Sequence, residues 1–313
     1  MTVRVGFFPH NNSLFVLRHL GILERRLPGV EWVDLRALPR PEPVDPRSGL
    51  PSLHSDWLFT DGGYDFIGTG FTPPVTALGN GRDIVYAGIS GPRVANGRLV
   101  TTEGSGVTSV SGLKGRRVGI AHGSWQTTLV LFALDNAGLG WADIEPVDTD
   151  VHDGGQALLR GELDAWVGAY PGLSAIESTT PLHTLVETDG LFSHPSLWFT
   201  RREFAEHHRG ALEAILGALQ ESDAWITANP RAAAGFFVDD VTARGGTADL
   251  DAWEAALRGR PFGVGPVTEE FLDEQQRAAD LLATHGLLPR RVRVRDAVLP
   301  WIADAIETTR AAA

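Results

Sequence analysis

Three short segments of this 313-residue chain place polar side chains beside glycine or proline where a predicted strand gives way to a predicted helix. They are Phe8-Pro-His-Asn-Asn-Ser13, Thr69-Gly-Phe-Thr-Pro-Pro74 and His122-Gly-Ser-Trp-Gln-Thr127. The first N–H groups of a helix have no intrahelical acceptor and carry partial positive charge. Each junction is therefore a candidate binding site for an anion, and none requires catalytic machinery.

Each junction contains residues that could contact a ligand. We expect Asn12 or Ser13 to cap the first helix, Gly70 to let backbone approach a ligand closely, and Ser124 to offer its hydroxyl and N–H. An ordinary helix cap or a tight turn remains an alternative at each junction. The candidate contacts are His10, Asn11, Asn12, Thr69, Gly70, Thr72, Gly123, Ser124, Trp125 and Gln126.

Composition excludes several function classes. The net charge of −12 and a single lysine, Lys114, argue against a nucleic-acid partner, which needs a basic face. Because the chain has no cysteine, it has no disulfide, thiolate zinc site or thiol nucleophile. Gly68-Thr-Gly70 lacks the third glycine of a dinucleotide motif, and no zinc-protease, calcium-loop or serine-elbow motif occurs. We therefore predict neither a cofactor nor a metal.

The elements around these junctions form two sets of alternating strands and helices, which predict α/β units with mainly parallel sheets. Beyond residue 204 the patterns are helical, and a proline-rich segment, Pro39 to Pro51, predicts an irregular loop. The predicted strands cover residues 3–7, 31–34, 65–67 and 84–89 in the first set, and 97–101, 117–121, 145–148, 165–168 and 184–187 in the second. The main predicted helices cover 13–27, 124–137, 204–228, 231–242, 250–258, 268–285 and 295–309.

The N-terminal residues enter a strand pattern directly, without a charged region, an apolar core or a cleavage site typical of a signal peptide. No run of eighteen apolar residues occurs, so we expect no transmembrane segment. The sequence as written predicts a cytoplasmic protein, or an extracytoplasmic one if a leader has been trimmed.

Six stretches in register resemble the aliphatic-sulfonate, taurine and nitrate solute-binding proteins. The same fold family includes thiamine-pyrimidine proteins and a biphenyl-sulfinate desulfinase. The stretches are Val5-Gly-Phe-Phe-Pro-His10, Tyr64-Asp-Phe-Ile-Gly-Thr-Gly70, Asp83-Ile-Val-Tyr-Ala-Gly88, Leu113-Lys-Gly-Arg-Arg-Val-Gly119, Leu159-Arg-Gly-Glu-Leu-Asp-Ala-Trp166 and Leu281-Leu-Ala-Thr-His-Gly286.

The resemblance implies a two-lobed type II periplasmic-binding-protein fold with a ligand cleft between the lobes. The first lobe would comprise residues 1–92 and 193–313, the second residues 93–192, and the two chain crossings would act as a hinge. Proteins of this fold are commonly monomeric, so we expect a monomer.

The function implied is binding of a small organic anion, sulfonate-like or sulfinate-like, by the solute-binding protein of an ABC-type importer, whose permease would be its partner. Arg93 at the first crossing would pair with the anionic head group, and His194 is a further candidate contact. Aromatic rings at predicted strand ends would flank the organic substituent, and packing in a hydrophobic core is the alternative for any one of the tryptophans. These rings are Trp57, Trp166, Tyr170 and Trp198.

A cytoplasmic enzyme on the same fold is the alternative, a desulfinase-like C–S bond hydrolase or lyase, or a related biosynthetic enzyme. His54 lies in the region where the related desulfinase carries a functional histidine. The desulfinase pattern needs a cysteine after the first strand, where this chain has His10, Asn11 and Asn12. Any turnover would therefore use His10 and His54 as acid and base, with the Ser124 helix terminus stabilising negative charge.

Overall fold

The structure of the chain is a computed structural model that describes residues 2–39, 45–93, 97–149, 153–170 and 172–311. Within these ranges ten strands form two five-stranded sheets, and part of the predicted proline-rich loop, residues 40–44, lies outside them. The strands are β1 (Val3–Phe7), β2 (Val30–Asp34), β3 (Phe66–Thr69), β4 (Ile84–Ile89), β5 (Gly97–Thr102), β6 (Arg117–Ile120), β7 (Glu145–Asp148), β8 (Ala165–Ala169), β9 (Leu182–Glu187) and β10 (Leu197–Arg201).

Each sheet combines a parallel half with an antiparallel half. The first sheet has the order β2-β1-β3-β10-β4, with β10 antiparallel to both neighbours. The second has the order β7-β6-β8-β5-β9, with β5 antiparallel to both neighbours. Strands β5 and β10 each follow a point where the chain crosses from one sheet to the other. The chain leaves one sheet at the carboxyl ends of its parallel strands and enters the other sheet at the carboxyl ends of that sheet's parallel strands. The entering strand therefore runs antiparallel to its neighbours. The α/β class is confirmed, and in each mixed sheet four of the five strands run in the same direction.

The helices cover both sheets and form the end of the chain. Within the described ranges they are α1 (Asn12–Leu20), α2 (Ile22–Arg26), α3 (Pro73–Gly79), α4 (Trp125–Asn136), α5 (Asp153–Leu159), α6 (Gly172–Glu177), α7 (Arg202–His207), α8 (Arg209–Ala228), α9 (Pro230–Ala243), α10 (Leu250–Arg258), α11 (Glu269–Thr284) and α12 (Pro300–Ala311).

Two predicted helices are each divided in the structure. The pattern over 13–27 gives α1 and α2, because Gly21 adopts a left-handed conformation with φ of 61° and ends α1. The pattern over 204–228 gives α7 and α8, which meet at the non-helical His208. Hydrophobic periodicity continues across both breaks, so it does not reveal them.

A single hydrophobic cluster includes residues of both sheets. Ile67 of the first sheet and Val118 of the second belong to it. Helix α11 also packs against the second unit, where Arg277 lies over the ring of Phe132 at 4.3 Å and donates to Asp135 at 3.0 Å. The two units therefore share apolar contacts, and the lobe boundaries stay a prediction.

None of the helices in the described ranges is long and apolar enough to cross a membrane.

Replacing Phe192 by Ala should destabilise the whole chain, because this buried ring contacts Phe71 at 4.9 Å and Phe132 of α4 at 5.7 Å. We expect a loss of about 3–5 kcal/mol in the free energy of unfolding, measured in urea. Leu191→Ala, at the half-buried neighbouring position, is the control and should cost less. A loss below about 1 kcal/mol for the Phe192 variant would contradict this bridging role.

Candidate functional site

Three segments that are far apart in the sequence meet at Gly70, just beyond β3. A Cβ atom added to Gly70 would lie 3.6 Å from the indole of Trp125 and 3.8 Å from Nε2 of His194. The rings of Trp125 and His194 are themselves 4.6 Å apart between centroids. The contact joins the end of β3 to the start of α4 in the other unit and to the segment before β10. The structure thus brings together three of the predicted site residues.

His194 is buried in an apolar setting. It is 1% exposed, has a positive φ of 41°, and neither ring nitrogen has a hydrogen-bond partner. Burial lowers the pKa of His194 well below its usual value, and the charges of Arg93 and Arg260 lower it further. The imidazole is therefore neutral at pH 7.

Two arginines lie close to His194 and to each other. Arg93, 8% exposed, donates to the hydroxyl of Ser196, and its pKa is lowered by burial and by the charge of Arg260. Burial lowers the pKa of the half-buried Arg260 to about 10. Neither guanidinium forms an ion pair with a carboxylate in the part of the chain that the structure describes. Buried charge without a partner is costly, so this arginine pair favours a bound anion.

Asn11, not Asn12 or Ser13, caps α1. Its side-chain oxygen accepts from the N–H of Leu14 at 3.1 Å, while its buried Nδ2 has no partner. The side chain lies against β3, where a Cβ at Gly68 would come within 2.3 Å of Nδ2. Asn12 instead donates to the carbonyl of Pro9 at 2.8 Å. Glycine at position 68 therefore creates the space that selects Asn11 as the cap.

The polar side chains at the start of α4 are already hydrogen-bonded within the protein. The hydroxyl of Ser124 donates to the carbonyl of Ala121 and accepts from the N–H of Gln126. The side chain of Gln126 accepts from Ala121, and the N–H of Gly123 donates to the hydroxyl of Thr127. These side chains therefore stabilise the turn, and their roles as ligand contacts stay a prediction. The donor that remains for a ligand at this turn is the N–H of Trp125, because the first residue of a helix has no intrahelical acceptor.

The second junction is similarly occupied by internal contacts. Thr69 donates to the carbonyl of Gly70 at 3.0 Å. Thr72 shares a hydrogen bond of 2.7 Å with Thr128 of α4, and both side chains are buried. These threonines therefore fix α3 against α4, and the space at Gly70 is the feature of this junction that a ligand could use.

The rings of His10 and His54 both lie near the ring of Phe8. The ring of Phe8 stacks on His10 at 4.7 Å between centroids and lies 6.5 Å from His54. His54 has a positive φ of 62°, and its carbonyl accepts from the hydroxyl of Tyr64. The predicted acid and base thus both lie near Phe8, and their catalytic roles stay a prediction.

Two of the predicted cleft aromatics lie in hydrophobic cores. Trp166 is 2% exposed in the second unit, and Trp198 is fully buried in the first, so the structure favours the alternative of core packing for both. The indole of Trp166 packs over Gly154, where a Cβ would lie 2.3 Å from its Nε1. Tyr170 accepts from Arg98 in the second unit, and Trp57 packs, half-buried, against the shared core.

Sequence reasoning missed Arg260. It follows α10 in the stretch Arg258-Gly-Arg-Pro-Phe262, which matches no binding motif. Its neighbour Pro261 would touch a Cβ at Gly91 at 3.0 Å, so the segment packs against the first crossing. Only this long-range packing brings Arg260 to Arg93. No group of three or more His, Cys, Asp or Glu side chains within the described ranges could hold a metal ion.

The fold is that of a two-unit α/β protein, with Arg93 and Arg260 near the crossings between its two sheets. The chain belongs to the NMT1/THI5-like family, whose sequence model matches residues 61–233. A putative aliphatic sulfonates-binding protein of Escherichia coli (strain K12) is 28% identical over 301 residues, which cover 95% of this chain and 88% of the relative.

Solved structures confirm the periplasmic-binding-protein fold. The alkanesulfonate-binding protein SsuA from Xanthomonas axonopodis pv. citri bound to MOPS superposes with a TM-score of 0.78 at 25% identity, covering 95% of this chain and 98% of that one. The desulfurization enzyme DszB has a TM-score of 0.66 at 17% identity, covering 99% of both chains, a likeness that shows the fold alone.

His194 should make the protein sensitive to mild acid. Below its usual pKa of 6.5 the unfolded chain binds a proton that the folded chain excludes, so stability is lost as pH falls. The expected slope approaches about 1.4 kcal/mol per pH unit between pH 6 and pH 5. Urea unfolding at several pH values should show a shallower slope for His194→Asn, which tolerates positive φ. Equal slopes in the two proteins would contradict a neutral, buried His194.

Proposed function

We propose that this chain is a solute-binding protein that holds a small organic anion, of sulfonate or sulfinate type, between its two units. The observation that carries the proposal is the arginine pair, the buried Arg93 and the half-buried Arg260 beside it, neither of which has a carboxylate partner among the described residues. An anion placed there would restore the pKa of both groups and replace the water they lost on folding.

Backbone N–H groups at the helix starts also favour a negatively charged ligand. Helices α1 and α4 begin near the site, and the N–H groups of their first residues, Asn12 and Trp125, have no intrahelical acceptors. A head group with several oxygens can accept hydrogen bonds from a guanidinium and from such N–H groups together. Trp125, in contact with His194 and Gly70, supplies an apolar surface for the organic substituent.

The relatives favour transport. The curated relative in Escherichia coli is named a putative aliphatic sulfonates-binding protein, and the Xanthomonas structure is an alkanesulfonate-binding protein. We therefore propose that the chain is the solute-binding component of an ABC-type importer, with a permease as its partner. This role places the mature protein outside the cytoplasmic membrane.

A second candidate function is an enzyme acting on a related anion. The observation that favours it is the placement of His10 and His54 about a single ring, Phe8, where one imidazole could donate a proton and the other accept one. In this alternative the arginine pair would bind the substrate head group, and the two histidines would act on the bond to be broken.

Calorimetric titration of the full chain with hexanesulfonate and with benzenesulfinate distinguishes the two functions. For a solute-binding protein we expect heat that saturates at one equivalent. Arg260→Met should weaken binding roughly 10- to 100-fold, because it removes a charged hydrogen-bond donor from a desolvated site. Arg295→Met is the matched control, since Arg295 is exposed and paired with Glu269 and Asp273, and it should bind as the parent does.

Heat that continues until the added compound is consumed would support the enzyme instead, and its loss in His10→Ala and His54→Ala would assign the acid and base. Absence of heat with every anion, or equal affinity in the Arg260 and Arg295 variants, would contradict the proposed anion site.

A further inference from the structure

The two chain crossings are hydrogen-bonded to each other beside the arginine pair. The N–H of Ser90 donates to the carbonyl of Ser196 at 2.8 Å, and the N–H of Arg93 donates to the carbonyl of Ser193, also at 2.8 Å. The N–H of Ser196 in turn donates to the hydroxyl of Ser90 at 2.9 Å. The two segments therefore run antiparallel as one unit, which we call the crossing ladder.

The crossing ladder fixes two of the candidate site residues. Besides the main-chain bond to Ser193, the guanidinium of Arg93 donates to the hydroxyl of Ser196. His194 lies between these two serines in the sequence, and its φ of 41° is uncommon for a residue other than glycine. Such a conformation persists only where the surrounding contacts hold it. The positions of Arg93 and His194 therefore depend on what holds the second crossing.

Glu274 of α11 anchors the second crossing. Both of its carboxylate oxygens lie 3.1 Å from the N–H of Ser193, which donates to them, and Oε2 also accepts from the Ser193 hydroxyl. Hydrogen bonds to a carboxylate are roughly twice as strong as those between neutral groups. Because Ser193 also accepts from Arg93, a single serine connects Glu274 to the arginine.

Helix α11 gives this anchor a fixed position. Gln275, the residue after Glu274, is fully buried. Its Nε2 donates to the carbonyl of Phe71 at 2.8 Å, and its Oε1 accepts from the hydroxyl of Tyr86 in β4 at 2.9 Å. Phe71 follows Gly70, so the helix is bonded to the segment that Trp125 and His194 contact. Glu274 therefore lies on a rigid element next to the site.

We propose that Glu274 is a positioning residue of the anion site, which holds Ser193 and thereby keeps Arg93 and His194 in the arrangement that binds the ligand. This inference rests on the proposed function, because it concerns the anion bound at Arg93. Since a carboxylate and an anion repel each other, Glu274 acts through Ser193 and not by contact with the ligand.

Calorimetric titration of the full chain with hexanesulfonate at about pH 7 tests the effect on binding. Glu274→Ala should weaken binding roughly tenfold, because it frees the second crossing. Glu274→Gln keeps an oxygen that accepts from Ser193, so it should bind within about threefold of the parent. Glu270→Ala is the matched control, since Glu270 is exposed one turn earlier on α11, and it should bind as the parent does.

Ser193→Ala tests the same contact if the Glu274→Ala chain does not fold. The substitution removes the hydroxyl bond to Glu274 and keeps the main-chain bonds of Ser193. We expect it to weaken hexanesulfonate binding roughly two- to fivefold.

NMR titration of His194 without ligand separates positioning from a general loss of stability. Its imidazole C–H signal is the one missing from His194→Asn. In the parent, burial and the charges of Arg93 and Arg260 hold the pKa of His194 well below 6.5. In Glu274→Ala we expect this pKa to rise towards 6.5 as the freed ring reaches water, whereas in Glu274→Gln it should stay low.

The two measurements contradict the proposal in different ways. A His194 pKa in Glu274→Ala equal to that of the parent would overturn it, whether or not an anion binds. A raised pKa together with unchanged hexanesulfonate affinity would also overturn it, because the ligand would then not depend on the crossing ladder. A parent that binds no sulfonate or sulfinate would contradict the proposed function itself, which is a different result from either of these.

Discussion

The organisation of the site depends on two guanidinium groups that are kept close together without a countercharge from the described chain. Burial lowers the pKa of both groups, and the charge of Arg260 lowers the pKa of Arg93 further. Burial of His194, together with both charges, suppresses its protonation. Such an arrangement is stable only because the surrounding fold over-determines it. An anion would relieve this cost, whereas a neutral molecule or a cation would not.

The topology explains why the positive groups gather where they do. Parallel strands β1, β3 and β6 all end at the region where the sheets face each other, so the helices that follow them begin there. The two crossings pass through the same region and bring Arg93 and His194 with them. The side chains at the helix starts then stabilise the turns, and backbone and arginine groups are left for a ligand.

The sequence predicted local features well and long-range ones poorly. The three junctions could be found because a strand pattern, a turn and a helix cap are encoded within a few residues of each other. The choice of Asn11 over Asn12 as cap depended on Gly68, which lies on another strand. Alternation along a strand does not say which face meets solvent, so the burial of Trp166 and Trp198 could not be read from it. Arg260 joins the site only through tertiary packing.

The position of β10 has a consequence for synthesis of the chain. It lies between β3 and β4, yet every strand of the second sheet precedes it in the sequence. As the polypeptide emerges from the ribosome, the second sheet has all its strands first, while β3 and β4 still lack the strand that joins them. The ribosome adds about 5–20 residues per second, so the interval between the synthesis of β4 and that of β10 lasts on the order of 5–20 s. Two unpaired strand edges are exposed throughout it, so the nascent first unit is the part of the molecule that most needs protection by a chaperone.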